Sequence, residues 1–249
     1  MRKLLTLIAL TFILMLNSCD SNKGIPKKGE FIEQISNKDG SITQRKYFDG
    51  KIQNEFVYVN KKKNGQALVY YPNGKLHSKS TYKDGKLEGE AYWYYENEKL
   101  FDIRIFKNNK MEGNRKTYYE SGQLKSEQKY KNNIPLIGLK EYKINGELIK
   151  QPTLVINKID KLAFEDKYVI NCNLSDNSKK VSFSQVKNKG KSEEYRNVIS
   201  ENNGIGELSF YVIRGDFLME DITIHAEMKT DFNNLLILEK TIRVAVQNR

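Results

Sequence analysis

Cysteine, histidine, tryptophan and proline are scarce in the 249 residues: two, two, one and four. Two cysteines exclude a disulfide scaffold and a cysteine-rich zinc site. The two histidines, His77 and His225, stand far apart without ligand-like neighbours, so no metal site is expected. Four prolines and 16 glycines exclude collagen-like and proline-rich chains. Catalytic signatures are missing as well. There is no G-x-S-x-G, H-E-x-x-H, phosphate loop or paired-cysteine motif. Neither enzyme activity nor a cofactor is expected. What is present suffices for a folded chain: 39% hydrophobic residues can bury a core, and the length suggests about two domains.

Only one apolar run is long, Leu4–Leu16. It falls short of the roughly 20 residues that span hydrocarbon. Arg2 and Lys3 precede it and Asn17-Ser18 follow, the pattern of a secretory signal over residues 1–18. Leu16-Asn17-Ser18-Cys19 resembles the bacterial lipobox. That resemblance implies cleavage before Cys19, acylation of its sulfur and a membrane anchor. It places the mature chain outside the cytoplasm, on the inner or the outer membrane. Residues 19–40 then read as a polar tether and a leading strand.

A period of 24 residues governs the segment 41–150. Gly65, Gly89 and Gly113 keep this step, as do Leu76, Leu100, Leu124 and Leu148. Tyr58, Tyr82, Phe106 and Tyr130 form another column, and Tyr-Tyr pairs stand at 70–71, 94–95 and 118–119. Turn dipeptides alternate along it: Asp49-Gly50, Asn73-Gly74, Asn97-Glu98, Ser121-Gly122 and Asn145-Gly146 at one phase, Asp84-Gly85, Asn108-Asn109 and Asn132-Asn133 at the other. Asn-Gly and Asp-Gly accept the positive φ of type I′ hairpin turns. Each repeat is therefore one hairpin, and the array an antiparallel meander. With Asn73-Gly74 as a two-residue loop, Tyr71 pairs with Leu76, Val69 with Ser78, Ala67 with Ser80 and Gly65 with Tyr82. Strand alternation then puts Tyr92, Tyr94, Phe101, Ile103 and Ile105 on one face, with Trp93 and Tyr95 on the other.

The run Gly65…Tyr70-Tyr71-Pro72-Asn73-Gly74-Lys75-Leu76…Tyr82-Lys83-Asp84-Gly85-Lys86-Leu87-Glu88-Gly89 resembles the bacterial variant of the MORN repeat. The resemblance implies a repetitive hairpin sheet used for binding or scaffolding. Some proteins of that family are described as antitoxins, which implies an alternative reading: neutralisation of a cognate toxin by binding it. A lipobox fits that reading poorly.

Beyond Gln151-Pro152 the columns stop. Short alternating runs follow, such as Tyr168-Ile170-Cys172-Leu174 and Ile222-Ile224-Ala226-Met228. Six or seven strands over 151–249 predict a β-sandwich of immunoglobulin-like kind, without the family's tryptophan and disulfide. Cys172 lies in an alternating apolar column, where a thiol is expected to be structural.

Charge separates the segments. The array holds 22 basic and 13 acidic residues, whereas residues 151–249 hold 14 of each. The array also carries 17 of the 27 aromatic residues. Such a sheet suits an anionic partner: anionic lipid, cell-wall glycan or an acidic protein. Nucleic acid is disfavoured outside the cytoplasm. Tyr92, Trp93, Tyr94, Tyr95 and Phe101 are the candidate ligand contacts. The competing structural reading assigns the repeated tyrosines and lysines to cross-strand pairing and edge protection.

Overall fold

The computed structural model describes residues 28–189 and 193–249. The signal segment 1–18 and the lipidation candidate Cys19 lie outside the described residues. The chain is almost all-β. Thirteen strands form the first sheet: β1 (Glu30–Ser36), β2 (Ile42–Phe48), β3 (Lys51–Val59), β4 (Lys62–Tyr70), β5 (Leu76–Lys83), β6 (Lys86–Leu87), β7 (Gly89–Tyr94), β8 (Leu100–Lys107), β9 (Lys110–Met111), β10 (Gly113–Tyr118), β11 (Leu124–Lys131), β12 (Ile134–Pro135) and β13 (Lys140–Glu141). It is the expected antiparallel meander. Gly65 faces Tyr82, Ala67 faces Ser80, Val69 faces Ser78 and Gly89 faces Phe106, in the register read from the columns.

The turns fall into two chemistries where one was expected. Asp49-Gly50, Asp84-Gly85, Asn108-Asn109 and Asn132-Asn133 hold positive φ at both central positions, as type I′ requires. Asn60-Lys61 does the same, 24 residues before Asp84-Gly85. Asn73-Gly74 does not. There the loop is Pro72-Asn73-Gly74, closed by Gly74 N–H to Tyr71 O at 2.8 Å and Tyr71 N–H to Lys75 O at 2.8 Å. Only Gly74 is left-handed, at φ +87°. Proline's fixed φ suits the second position of a type I turn, and the glycine adds the bulge that restores strand twist. The expected Tyr71–Leu76 pair is therefore replaced by Tyr70–Leu76. His77, and Phe101 one repeat later, become the extra residues at the register shifts.

The glycine column has a second reason beyond the ring across from it. Gly65, Gly89 and Gly113 hold φ of +110°, +79° and +106°. Gly89 and Gly113 sit where β7 and β10 break from the short strands β6 and β9, and Gly65 lies within β4 beside the register shift of its partner β3. At Gly113 an added Cβ would meet Ile105 Cδ1 at 3.2 Å.

The second sheet contains β14 (Leu154–Lys161), β15 (Lys167–Leu174), β16 (Val181–Lys189), β17 (Glu193–Asn202), β18 (Ile205–Tyr211), β19 (Phe217–Lys229) and β20 (Leu235–Gln247), with the one-turn helix α1 (Leu162–Glu165) after β14. Its order is β14-β15-β18-β17-β16-β19-β20. β17 pairs with β16 through Glu193–Ile199 and with β18 through Ser200–Asn202, so it passes from one layer to the other. The layers β14-β15-β18-β17 and β16-β19-β20 reproduce the strand order of a seven-stranded immunoglobulin-type sandwich. Ile170, Leu174, Ile222, Ile224 and Val244 are fully buried between them. Burial of each such side chain is worth about 2 kcal/mol. Cys172 is 0% exposed, and burial pushes its thiol up to about 11. An added Cβ at Gly206 would strike Cys172 Sγ and Phe183 Cδ2 at 2.8 Å, so β18 requires glycine at this crossing.

The chain divides into two compact units. The first runs to Lys125 and includes Tyr130–Asn133; the second takes Ser126–Lys129 and Ile134–Arg249. Within the second, buried Glu141 accepts hydrogen bonds from Thr230 Oγ1 at 2.6 Å and Asn234 Nδ2 at 2.7 Å. Residues 134–150 thus group with the C-terminal strands.

Two outcomes follow. Gly113→Ala should destabilise the first unit by about 1–3 kcal/mol, from φ strain alone. Denaturant unfolding followed by array tyrosine fluorescence measures it. Cys172 should resist a thiol reagent at pH 8 in the native state and react fully once unfolded. Its raised thiol pKa favours the fold below the ordinary pKa of about 9, and that contribution is lost as pH climbs towards 11. Rapid native-state labelling would contradict this.

Candidate functional site

Among the described residues the first sheet has no second layer of its own. Most residues between 63 and 125 are half-exposed on both faces, and Ala67, Ala91, Asp102 and Thr117 are the buried ones. Its cohesion comes from bonds that run from one repeat to the next. Tyr71 Oη donates to Tyr94 O at 2.6 Å, and Tyr95 Oη to Tyr118 O at 2.7 Å. At the same edge Asn73 Nδ2 donates to Glu96 and Lys99 Nζ to Ser121 O. At the type I′ edge, Asn109 Oδ1 accepts from Leu87 N–H and Asn133 Oδ1 from Met111 N–H, both at 2.6 Å. Glu88 and Glu112 accept the backbone N–H groups of Asn108 and Asn132.

These latches sort the five aromatic candidates. Tyr95 is committed to its latch and to the ring of Phe101, 5.0 Å away and near edge-on. Phe101 was expected opposite Tyr95; the extra residue at the register shift brings the two together. The same contact joins Tyr71 to His77 in the preceding repeat, at 4.7 Å. Trp93 carries the guanidinium of Arg104 over its ring at 4.5 Å. Tyr92 donates to Glu90 on an exposed part of the other face. Tyr94 is half-exposed, and its carbonyl receives the Tyr71 latch. Phe101 is the most open of the five, at 37%.

Beneath Trp93 lies a group that composition could not reveal. Asp102 is 0% exposed and forms ion pairs with Arg104 at 2.8 Å and Arg115 at 2.7 Å. Burial works against the charge on Arg115, but the hydrogen bond and attraction of Asp102 outweigh it and raise its pKa. The column explains the trio: Ser78, Asp102 and Ser126 share one phase, as do Ala67, Ala91 and Arg115. The second and third repeats replace small residues with a charged pair that closes on itself.

Sequence reasoning also missed the surroundings of His225. The ring is 2% exposed, with Glu239 Oε1 2.8 Å from Nδ1 and Glu227 Oε1 2.7 Å from Nε2. Arg196 Nη1 approaches Nε2 at 2.7 Å. Ile134, Pro135, Leu136 and Ile137 face this cluster across a cavity of about 390 Å³. The signal was cross-strand: Glu239 is the ladder partner of His225, and Glu227 lies two residues on. Both ring nitrogens are occupied by protein groups. Among the described residues no set of three or more His, Cys, Asp or Glu side chains could hold a metal ion.

The geometry defines a class: an all-β chain whose first part is a hairpin-repeat sheet. The family model described as MORN repeat variant matches residues 63–84, 87–108 and 111–132, three consecutive repeats. The boundaries fall beside the type I′ turns, so each matched segment is one hairpin of the observed sheet. No curated protein matches the chain.

Asp102→Ala should destabilise the array by about 3 kcal/mol, because it strands Arg115 in a partly buried site. Asp102→Ala combined with Arg115→Met should recover part of that loss. A double variant no more stable than the single one would contradict the pairing.

Proposed function

We propose that this chain is a non-catalytic cell-envelope lipoprotein whose repeat sheet acts as a binding and scaffolding surface. The observation that carries the reading is the single-layer sheet: both faces of residues 63–125 remain half-open, and Tyr92, Tyr94 and Phe101 stand on that surface. Similarity to MORN repeat variants supports the binding reading. The lipobox-like Leu16-Asn17-Ser18-Cys19 supports anchoring by acyl chains on Cys19 to a bacterial membrane, inner or outer. In this reading Trp93 and Tyr95 act indirectly. They hold the sheet together, and the outward aromatics meet the partner.

Mass spectrometry of protein from membranes tests the anchor. The expected amino terminus is Cys19 carrying acyl chains; an intact Met1 or an unmodified terminus contradicts it. Tyr92→Ser with Tyr94→Ser tests the surface. The pair should reduce retention of solubilised envelope components on the immobilised chain by about tenfold, with the circular dichroism spectrum unchanged. Full retention, or loss only together with the fold, opposes the reading.

A further inference from the structure

The two edges of the array carry different charge. At the type I′ edge stand Lys61, Lys62, Lys83, Lys86, Lys107, Lys110 and Lys131, all exposed. Lys62, Lys86 and Lys110 keep the 24-residue step, and so do Lys83, Lys107 and Lys131. The nearby carboxylates are Asp84, Glu88 and Glu112, and the last two are turned onto backbone N–H groups. At the other edge, Lys51, Lys75 and Lys99 are matched by Glu96, Glu98 and Glu120. Lys51 and Lys99 bond to backbone carbonyls of the next turn, and Lys75 lies 3.6 Å from Glu98. In the first series only Lys86 has a hydrogen bond, to Asn108 Oδ1 at 3.5 Å, among the described residues.

The ladder makes this arrangement costly. Lys83 is the cross-strand partner of Lys86, and Lys107 of Lys110. Like charges directly opposite each other destabilise a strand pair, and edge protection needs only one of each two. Among the described residues none of these four opposed lysines has an ion-pair partner, which points to a partner that supplies the missing negative charge. Each repeat adds two strands, so the pairs recur about every 10 Å, and the series from Lys62 to Lys131 extends for about 24 Å. Each strand also turns by about 20° against its neighbour, so the series winds as it advances. A flexible chain can follow such a path, whereas a flat surface meets only part of it.

We propose that this lysine edge binds a linear polyanion, a flexible polymer with negative charges along its backbone. The inference rests on the binding reading above and names its partner class and a place distinct from the aromatic face. Recognition is by charge and spacing: ammonium groups are strongly hydrated point charges and impose no planar geometry.

The test titrates the full chain with labelled long-chain inorganic polyphosphate over a range of salt. Three variants are compared: Lys83→Gln, Lys86→Gln, Lys107→Gln and Lys110→Gln together; Lys75→Gln with Lys99→Gln; and Tyr92→Ser with Tyr94→Ser. The fourfold variant should lose at least about tenfold in affinity, and its log–log salt slope should fall by about 3, near 0.7 for each lysine removed. Its melting temperature should stay level or rise, because the opposed lysines are relieved. The other two variants should bind polyphosphate within about twofold of the parent chain, while tripolyphosphate binds far more weakly than the long chain. An unchanged salt slope in the fourfold variant overturns the proposal, as does an equal loss from the opposite edge. Lysine-dependent binding to phosphatidylglycerol vesicles without binding to polyphosphate assigns the edge to a membrane surface instead. Binding of single-stranded DNA more than about tenfold tighter than of polyphosphate at equal charge would show recognition of the bases and overturn recognition by charge and spacing. If envelope retention falls only in the tyrosine variant, this proposal fails and the binding reading stands. If no variant alters either measurement, both fail.

Discussion

A sheet without a covering layer must find its cohesion sideways. In this array a side chain of one repeat reaches the backbone of the next: Tyr71 to Tyr94, Tyr95 to Tyr118, Asn109 back to Leu87 and Asn133 back to Met111. Every latch needs the same residue at the same place in each hairpin, so the period of the sequence is the period of the latches. Turn chemistry serves the same end. From Asn60 to Asn133, type I′ turns at one edge and three-residue bulge turns at the other keep successive hairpins in register, and from that register both the aromatic surface and the lysine edge follow.

The C-terminal unit solves the problem in the ordinary way. Two layers face each other over Ile170, Leu174, Phe183, Ile222, Ile224 and Val244, and the burial of apolar surface holds them. Cys172 and Phe183 pack against Gly206 at the layer crossing, near where true immunoglobulin domains place a disulfide and a tryptophan. Polar groups are confined to specific tasks. Asn248 donates to Asp166 and to Val212 O, closing one end, and His225 is held between two glutamates.

Much of this was legible because repeats multiply a weak signal. One Gly–Tyr cross-strand pair means little; the pairs Gly65–Tyr82 and Gly89–Phe106 in one register mean a sheet. The strand content of the C-terminal unit was readable from alternation alone. What escaped depended on three-dimensional choices with no periodic trace. Asn73-Gly74 has the dipeptide of a type I′ turn, but the preceding Pro72 diverts it to a longer loop. The same loop length recurs at Glu96-Asn97-Glu98 in the next repeat, and its extra residue moves Phe101 to Tyr95. Asp102 carries no mark in the sequence, and its burial shows only once Arg104 and Arg115 are placed beside it. His225 looked isolated because its partner Glu239 is 14 residues away in the chain, although directly opposite in the ladder. The lysines were visible as net charge, but their segregation to one edge needed the turns to be assigned first.

The central claim is that repeat-to-repeat latches, rather than a packed core, hold the array in register. Amide hydrogen exchange on the full chain with Tyr71→Phe and Tyr95→Phe tests it most directly. Loss of both hydroxyls should speed exchange across residues 63–118 by about tenfold, the equivalent of one to two hydrogen bonds, and leave residues 154–247 as they were. Unchanged protection in the array, or equal loosening of both units, would contradict the account.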